Sequence, residues 1–185
     1  MKSAEIFCAA LSVDEGDIDA LGHASNLAFI RWIQDVTLAH ASALGLDLGA
    51  LRRIGGLFVV VRQEVDYLRP ALRGDAVEAR TWICTFMAAK CVRATEFVRR
   101  ADGLCLARAR TTWGFVDAVN GRPMRIPREV SVRFAPFVHG EGASLPRPGP
   151  DAGRDKRAPD ATPCPDRASA RACDGAQKGR AGPEP

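Results

Sequence analysis

Asp17-Ile18-Asp19-Ala20-Leu21-Gly22-His23-Ala24-Ser25-Asn26 runs without a break into Leu27-Ala28-Phe29-Ile30-Arg31-Trp32-Ile33. The first ten of these residues gather two carboxylates, an imidazole, a hydroxyl and a carboxamide, and a helix starts directly behind them. Asp19 and His23 stand four apart across Gly22, which tolerates backbone angles closed to other residues. Ser25 and Asn26 are both favoured N-cap types, so the helix begins at one of them. Its first amides are unpaired and carry partial positive charge. A carboxylate beside such a helix start is suited to hydrolysing an acyl group. An acidic turn ahead of an ordinary capped helix is the plainer reading of the same residues.

Downstream of this stretch, Ile30, Ile33, Thr37, Ala41 and Leu44 recur at helical spacing, and Gly45 follows as a terminator. That predicts a helix of about five turns from Asn26 to Leu44. Phe29, Trp32 and Val36 widen its apolar surface, so the helix is expected to be buried on most sides. His40, a lone imidazole on it, reads as structural or solvent-facing. Upstream, residues 5–13 read as a strand. After a short helix at Leu48 to Ile54, Gly55-Gly56 breaks the pattern and extended structure takes over. Strands are expected over Leu57–Leu68, around Val77–Ile83, over Lys90–Arg100 and over Leu104–Val116. Asp102-Gly103 signals a two-residue hairpin between the last two. Asn120-Gly121 makes a further turn, and a last apolar piece ends near Val138. One strand, a long helix and then several strands give an α+β chain, with an antiparallel meander wrapped around one buried helix.

The 185 residues carry a net charge of only +4 with spread basic residues, which gives no reason to expect nucleic acid. The apolar run Ile6 to Val13 is too short for a membrane span and follows Glu5 instead of a basic leader. The six cysteines lack metal-ligand spacing and four sit in apolar runs, consistent with reduced thiols in a cytoplasm and with no metal or cofactor. The composition divides the chain at about residue 140. Residues 140–185 hold eight of the twelve prolines and no aromatic residue, and are expected to be a disordered tail behind a domain at 1–139.

The order of elements and the turn Asp17 to Asn26 resemble the hot-dog thioesterases of the 4-hydroxybenzoyl-CoA thioesterase-like group. That group carries an Asp-x-Asp-x-x-Gly turn, often continued as His-x-Asn-Asn, ahead of a helix opening Tyr-Leu-Arg-Trp. Here the helix opens Phe29-Ile30-Arg31-Trp32. The later stretch Val65-Asp66-Tyr67-Leu68-Arg69-Pro70-Ala71 through Gly74-Asp75 is similar to the group's second strand and its connection. The resemblance spans roughly residues 5 to 135. It implies a helix wrapped by an antiparallel sheet, a homodimer or homotetramer, an acyl-CoA substrate and a site shared between subunits. It also implies that Asp19 is the nucleophile or general base, that Gly22 and His23 form the turn near the thioester, and that Asn26 is the second polar position. Ser25 stands where the group has its first Asn, and Phe29 stands where it has Tyr.

Such chemistry is coherent in itself. Negative charge developing on a thioester oxygen is stabilised by preorganised backbone donors at a helix start. A carboxylate there either activates water or attacks the carbonyl. His23 takes part directly or shapes the turn and orients a water. Coenzyme A carries phosphates, and Lys90 with Arg93, or Arg125 with Arg128, are the candidate basic pairs to meet them. Rival readings are a non-catalytic acyl-CoA binding domain, a thioesterase acting on acyl carrier protein, and a hydratase. The last fits poorly, because Asp19 to His23 is one residue too short.

Overall fold

The structure, a computed structural model, describes residues 4–140. The expected tail, Gly140 apart, lies outside the described residues. Strand β1 spans Phe7–Ser12 and is followed by a 3-10 turn at Glu15–Asp17. Helix α1 (Asn26–Ala43) and helix α2 (Leu48–Ile54) come next. Then run β2 (Gly56–Tyr67), β3 (Ala76–Phe86), β4 (Lys90–Arg99) and β5 (Cys105–Asp117). Helix α3 (Arg128–Phe134) and a 3-10 turn at Ala135–Phe137 form the last apolar piece.

Local chemistry sets the helix ends. Ser25 is the N-cap of α1, its Oγ accepting the Ala28 amide at 3.2 Å. Asp47 caps α2 in the same way through the Ala50 amide at 2.7 Å. Gly56, expected only as half of a breaker pair, opens β2 because a Cβ there would stand 2.4 Å from the Phe115 ring.

The five strands form one antiparallel sheet in the order β1-β3-β4-β5-β2. Only β3, β4 and β5 make the expected meander. β2 does not pair with its successor β3 and instead closes the far edge, on β5. The segment 68–75 carries the chain across the end of the sheet, and eight residues can reach about 26 Å, ample for the ~14 Å spanned by three strand spacings. It is pinned midway, where the buried Ala71 accepts the Ala24 amide at 2.8 Å.

Helix α1 lies on the inner face. Phe29, Trp32, Ile33 and Val36 pack against Val77, Ala79, Phe97 and Ala107 of the sheet, all buried. The Phe29 ring meets Trp32, Tyr67 and Phe97 edge-on at 4.8–5.5 Å between centroids. Each such aromatic contact adds about 1 kcal/mol beyond simple burial. A second cluster under the other end of α1 joins Leu46, Leu51, Ile83, Phe115, Val130 and Phe134. The two clusters seat one end of the helix by aromatic packing and the other by the two short helices, so its N-terminal end presents the polar turn at a fixed place.

Candidate active site

The loop ahead of α1 stands on an isolated antiparallel bridge between Ile18 and Ala24. Above it the Asp19 amide donates to the His23 carbonyl and the Gly22 amide to the Asp19 carbonyl, both at 3.0 Å. Gly22 has φ +83°, the left-handed region, where a Cβ costs about 1–2 kcal/mol. Below the bridge the Ser25 amide donates to the Asp17 carbonyl at 2.8 Å. A five-residue crest is thereby closed on itself and tied to the helix cap.

The two carboxylates of the loop take opposite roles. Asp17 is 4 % exposed, accepts the Asp14 amide at 3.0 Å through Oδ2 and pairs with Arg31 through Oδ1. It latches the loop to the second turn of α1. Asp19 keeps about a third of its side chain in solvent, and its Oδ1 accepts the Leu21 amide at 2.8 Å. His23 Nδ1 stands 3.9 Å from that same oxygen and is as exposed. Asp19 Oδ2 makes no hydrogen bond among the described residues, so this oxygen is open to a water or a substrate carbon. The structure thus brings Asp19, Gly22 and His23 together beside the N-terminus of α1. Asn26 is the first, exposed residue of that helix. The Ser25 hydroxyl is committed to the cap and the Gly22 amide to the crest, which makes both of them shaping groups.

Three of the basic candidates are not at this end of the molecule. Lys90 opens β4 opposite Gly114 and is exposed. Arg125 and Arg128 flank the Ile126–Pro127 turn and share a surface basin with Met87 and Ala88. All three sit by the Phe86 end of β3, whereas the Asp19 crest sits by its Ala76 end, where the Val13 amide donates to Asp75 O. Within one chain they do not meet Asp19. Arg93 has to be corrected outright. It is 3 % exposed on the inner face of β4, under His40, and cannot reach a phosphate at the surface. His40 is likewise fully buried, its ring stacked on Phe7 at 4.7 Å and edge-on to Phe137.

The model of the thioesterase-like superfamily matches residues 13–134, which takes in the crest, α1 and all four later strands. The chain belongs to that superfamily. It is a thioester hydrolase of hot-dog fold. Solved structures agree on the fold. A 1,4-dihydroxy-2-naphthoyl-CoA thioesterase from Synechocystis is similar at 19% identity and a TM-score of 0.65, over 71% of this chain and 96% of that one. A predicted thioesterase from Bacillus stearothermophilus is similar at 20% identity and 0.64, over 75% and 100%. A hypothetical protein from Thermus thermophilus gives 19% and 0.64, over 70% and 98%. No curated protein matches the chain. Among the described residues no helix is long and apolar enough to cross a membrane.

Proposed function

We propose that the chain hydrolyses acyl-coenzyme A thioesters in a site completed by a second copy of itself, with Asp19 as the reacting carboxylate. The observation that carries this is the Asp19 side chain. One oxygen is fixed by the Leu21 amide, the other is open, and the loop that carries them is tied to the Ser25 cap of α1. The carboxylate either takes a proton from water as its oxygen adds to the thioester carbon, or adds to that carbon itself. In both routes the tetrahedral intermediate expels coenzyme A as the thiolate, and in the second water then cleaves the resulting anhydride. First-turn amides of α1 stabilise the oxyanion in both. His23 orients the water and Asn26 offers a carboxamide to the substrate.

The edge of the sheet supports the second copy. β2 is an edge strand with Val59, Val60 and Val61 exposed, and natural proteins pair or cover such edges. Antiparallel pairing of two β2 edges would set the Tyr67 end of one protomer beside the Gly56 end of the other. The Asp19 crest lies at the first end and Lys90, Arg125 and Arg128 at the second. The dimer therefore supplies the phosphate-binding cations that one chain keeps far from its own carboxylate.

The test is thiol release from a panel of short, long and aromatic acyl-CoAs by the full chain and by Asp19→Asn. Loss of at least ~100-fold in turnover is expected for Asp19→Asn, the lower range for a positioned acid–base group. A single turnover in 18O-water puts label into Asp19 only by the anhydride route. Wild-type turnover in Asp19→Asn would overturn the assignment.

A further inference from the structure

At the other end of α1 a cavity of about 100 Å³ opens between that helix, α2 and the inner face of the sheet. Its walls are largely apolar, with Ala41, Leu46, Leu51, Phe58 and Ile83 among them, and the two polar groups set into the sheet side are Arg93 and Trp113. Ala41 lies fifteen residues beyond Asn26, about 22 Å along the helix, so this space is separate from the Asp19 crest of the same chain.

Arg93 is the anomaly. Its Nη1 donates to His40 Nδ1 at 2.9 Å and to Thr81 Oγ1 at 3.2 Å, and its guanidinium lies 5.5 Å from the centre of the Phe134 ring. A guanidinium only donates, so His40 accepts through Nδ1 and its ring is neutral. Burial lowers Arg93 to about 10, which still leaves it a cation at neutral pH. Among the described residues no carboxylate pairs with it, and its Nε has no acceptor. The buried Nε1 of Trp113 has none either. Trp113 stands opposite Cys91, two residues from Arg93 on the same face of β4, so the two donors are diagonal neighbours. A buried cation without a counter-charge and a buried N–H without an acceptor are both costly to keep. Both residues line the cavity, and the one carboxylate in that lining, Asp47, is engaged with the Ala50 amide.

We propose that this cavity binds a small apolar monocarboxylate, with the carboxylate paired to Arg93 and the hydrocarbon body against Leu46, Leu51 and Phe58. An apolar cavity of ~150 Å³ accepts benzene, so a body of about four carbons fits in the about 100 Å³ here. Access runs between α1 and α2, past the exposed Leu38 and Leu48. Asp47 at that rim does not compete, because its carboxylate caps α2. The ligand class includes short acids of the kind thioester hydrolysis releases, but the site stands on Arg93 and the cavity and not on the role of Asp19.

Titration calorimetry and thermal shift of the full chain with butanoate and pentanoate, against butanamide and pentanamide, test it. Saturable carboxylate binding at millimolar concentration with a raised Tm is expected, and the amides should bind at least ten-fold more weakly. Asp19→Asn should bind the acids like wild type. Arg93→Met should erase the preference for acid over amide. Should that variant not fold, Ala41→Phe fills the cavity from α1, leaves Arg93 in place and should abolish binding. Absence of saturable carboxylate binding, equal binding of the amides, or undiminished binding in a folded Ala41→Phe would overturn the proposal.

Discussion

Asp17 and Asp19 are two positions apart and carry the same side chain, yet burial separates their work. Asp17→Ala would strand Arg31 and the Asp14 amide, and the loss of charge-assisted hydrogen bonds should cost about 2 kcal/mol in chemical denaturation. Asp19→Asn should leave the denaturation midpoint within about 0.5 kcal/mol, as for a surface change, and lose activity instead. Measured together, the two variants separate a latch from a reacting group. His40 makes a second residue-scale prediction. Burial foremost, and then the Arg93 charge, hold its pKa at about 3. The unfolded chain has an ordinary histidine near 6.5, so between those values it holds a proton the folded chain lacks. Stability should therefore fall as pH drops below about 6.5, by at most about 2 kcal/mol down to pH 5. Denaturation of His40→Gln at pH 7, 6 and 5 should show a flatter profile. An identical slope in both proteins would mean the ring is not the titrating group.

The crest and the helix behind it behave as one element. Gly22→Ala meets nothing within 4 Å, so its whole effect is the backbone angle. It should cost about 1–2 kcal/mol and lower kcat by moving Asp19 against His23. Ser25→Ala should cost about 1 kcal/mol with a smaller kinetic effect. Thermal melts and steady-state rates of the two variants check this ordering. The same elements show what the chain spells out locally. The Ser25 cap marked the start of α1, and Gly55-Gly56 marked the end of α2, because those signals act within one turn. The Asp-x-Asp-x-x-Gly spacing likewise located the crest. The place of β2 was not legible, since hairpin chemistry couples neighbours and nothing local announces that segment 68–75 crosses the sheet. Arg93 misled for another reason, because an arginine in an alternating strand usually points to water. A signal was there: Arg93 shares parity with Phe97, and residues two apart line one face.

For the whole molecule the decisive property is the free β2 edge. Replacing Val59 and Val61 together by lysine puts charge on that edge and should turn a dimer into a monomer in light scattering. If the site is shared, hydrolysis should fall with the dimer fraction while far-ultraviolet circular dichroism stays native. A fully active monomer would mean that Lys90, Arg125 and Arg128 have no part in it.

The strand order also has a consequence for how a cell makes this protein. β1, α1 and β2 leave the ribosome first, but each rests on strands that come later: β1 on β3, β2 on β5. Until β3 and β4 have been synthesised, at residue 99, the Phe29–Trp32–Val36 face has no sheet to cover it. Only the β3–β4–β5 hairpins are local, so they are the part that forms fast, and the two outer strands dock afterwards at high contact order. The nascent chain thus carries a bare greasy helix for much of its synthesis, which makes this stretch the natural point of engagement for a holdase chaperone and the first to aggregate when translation stalls.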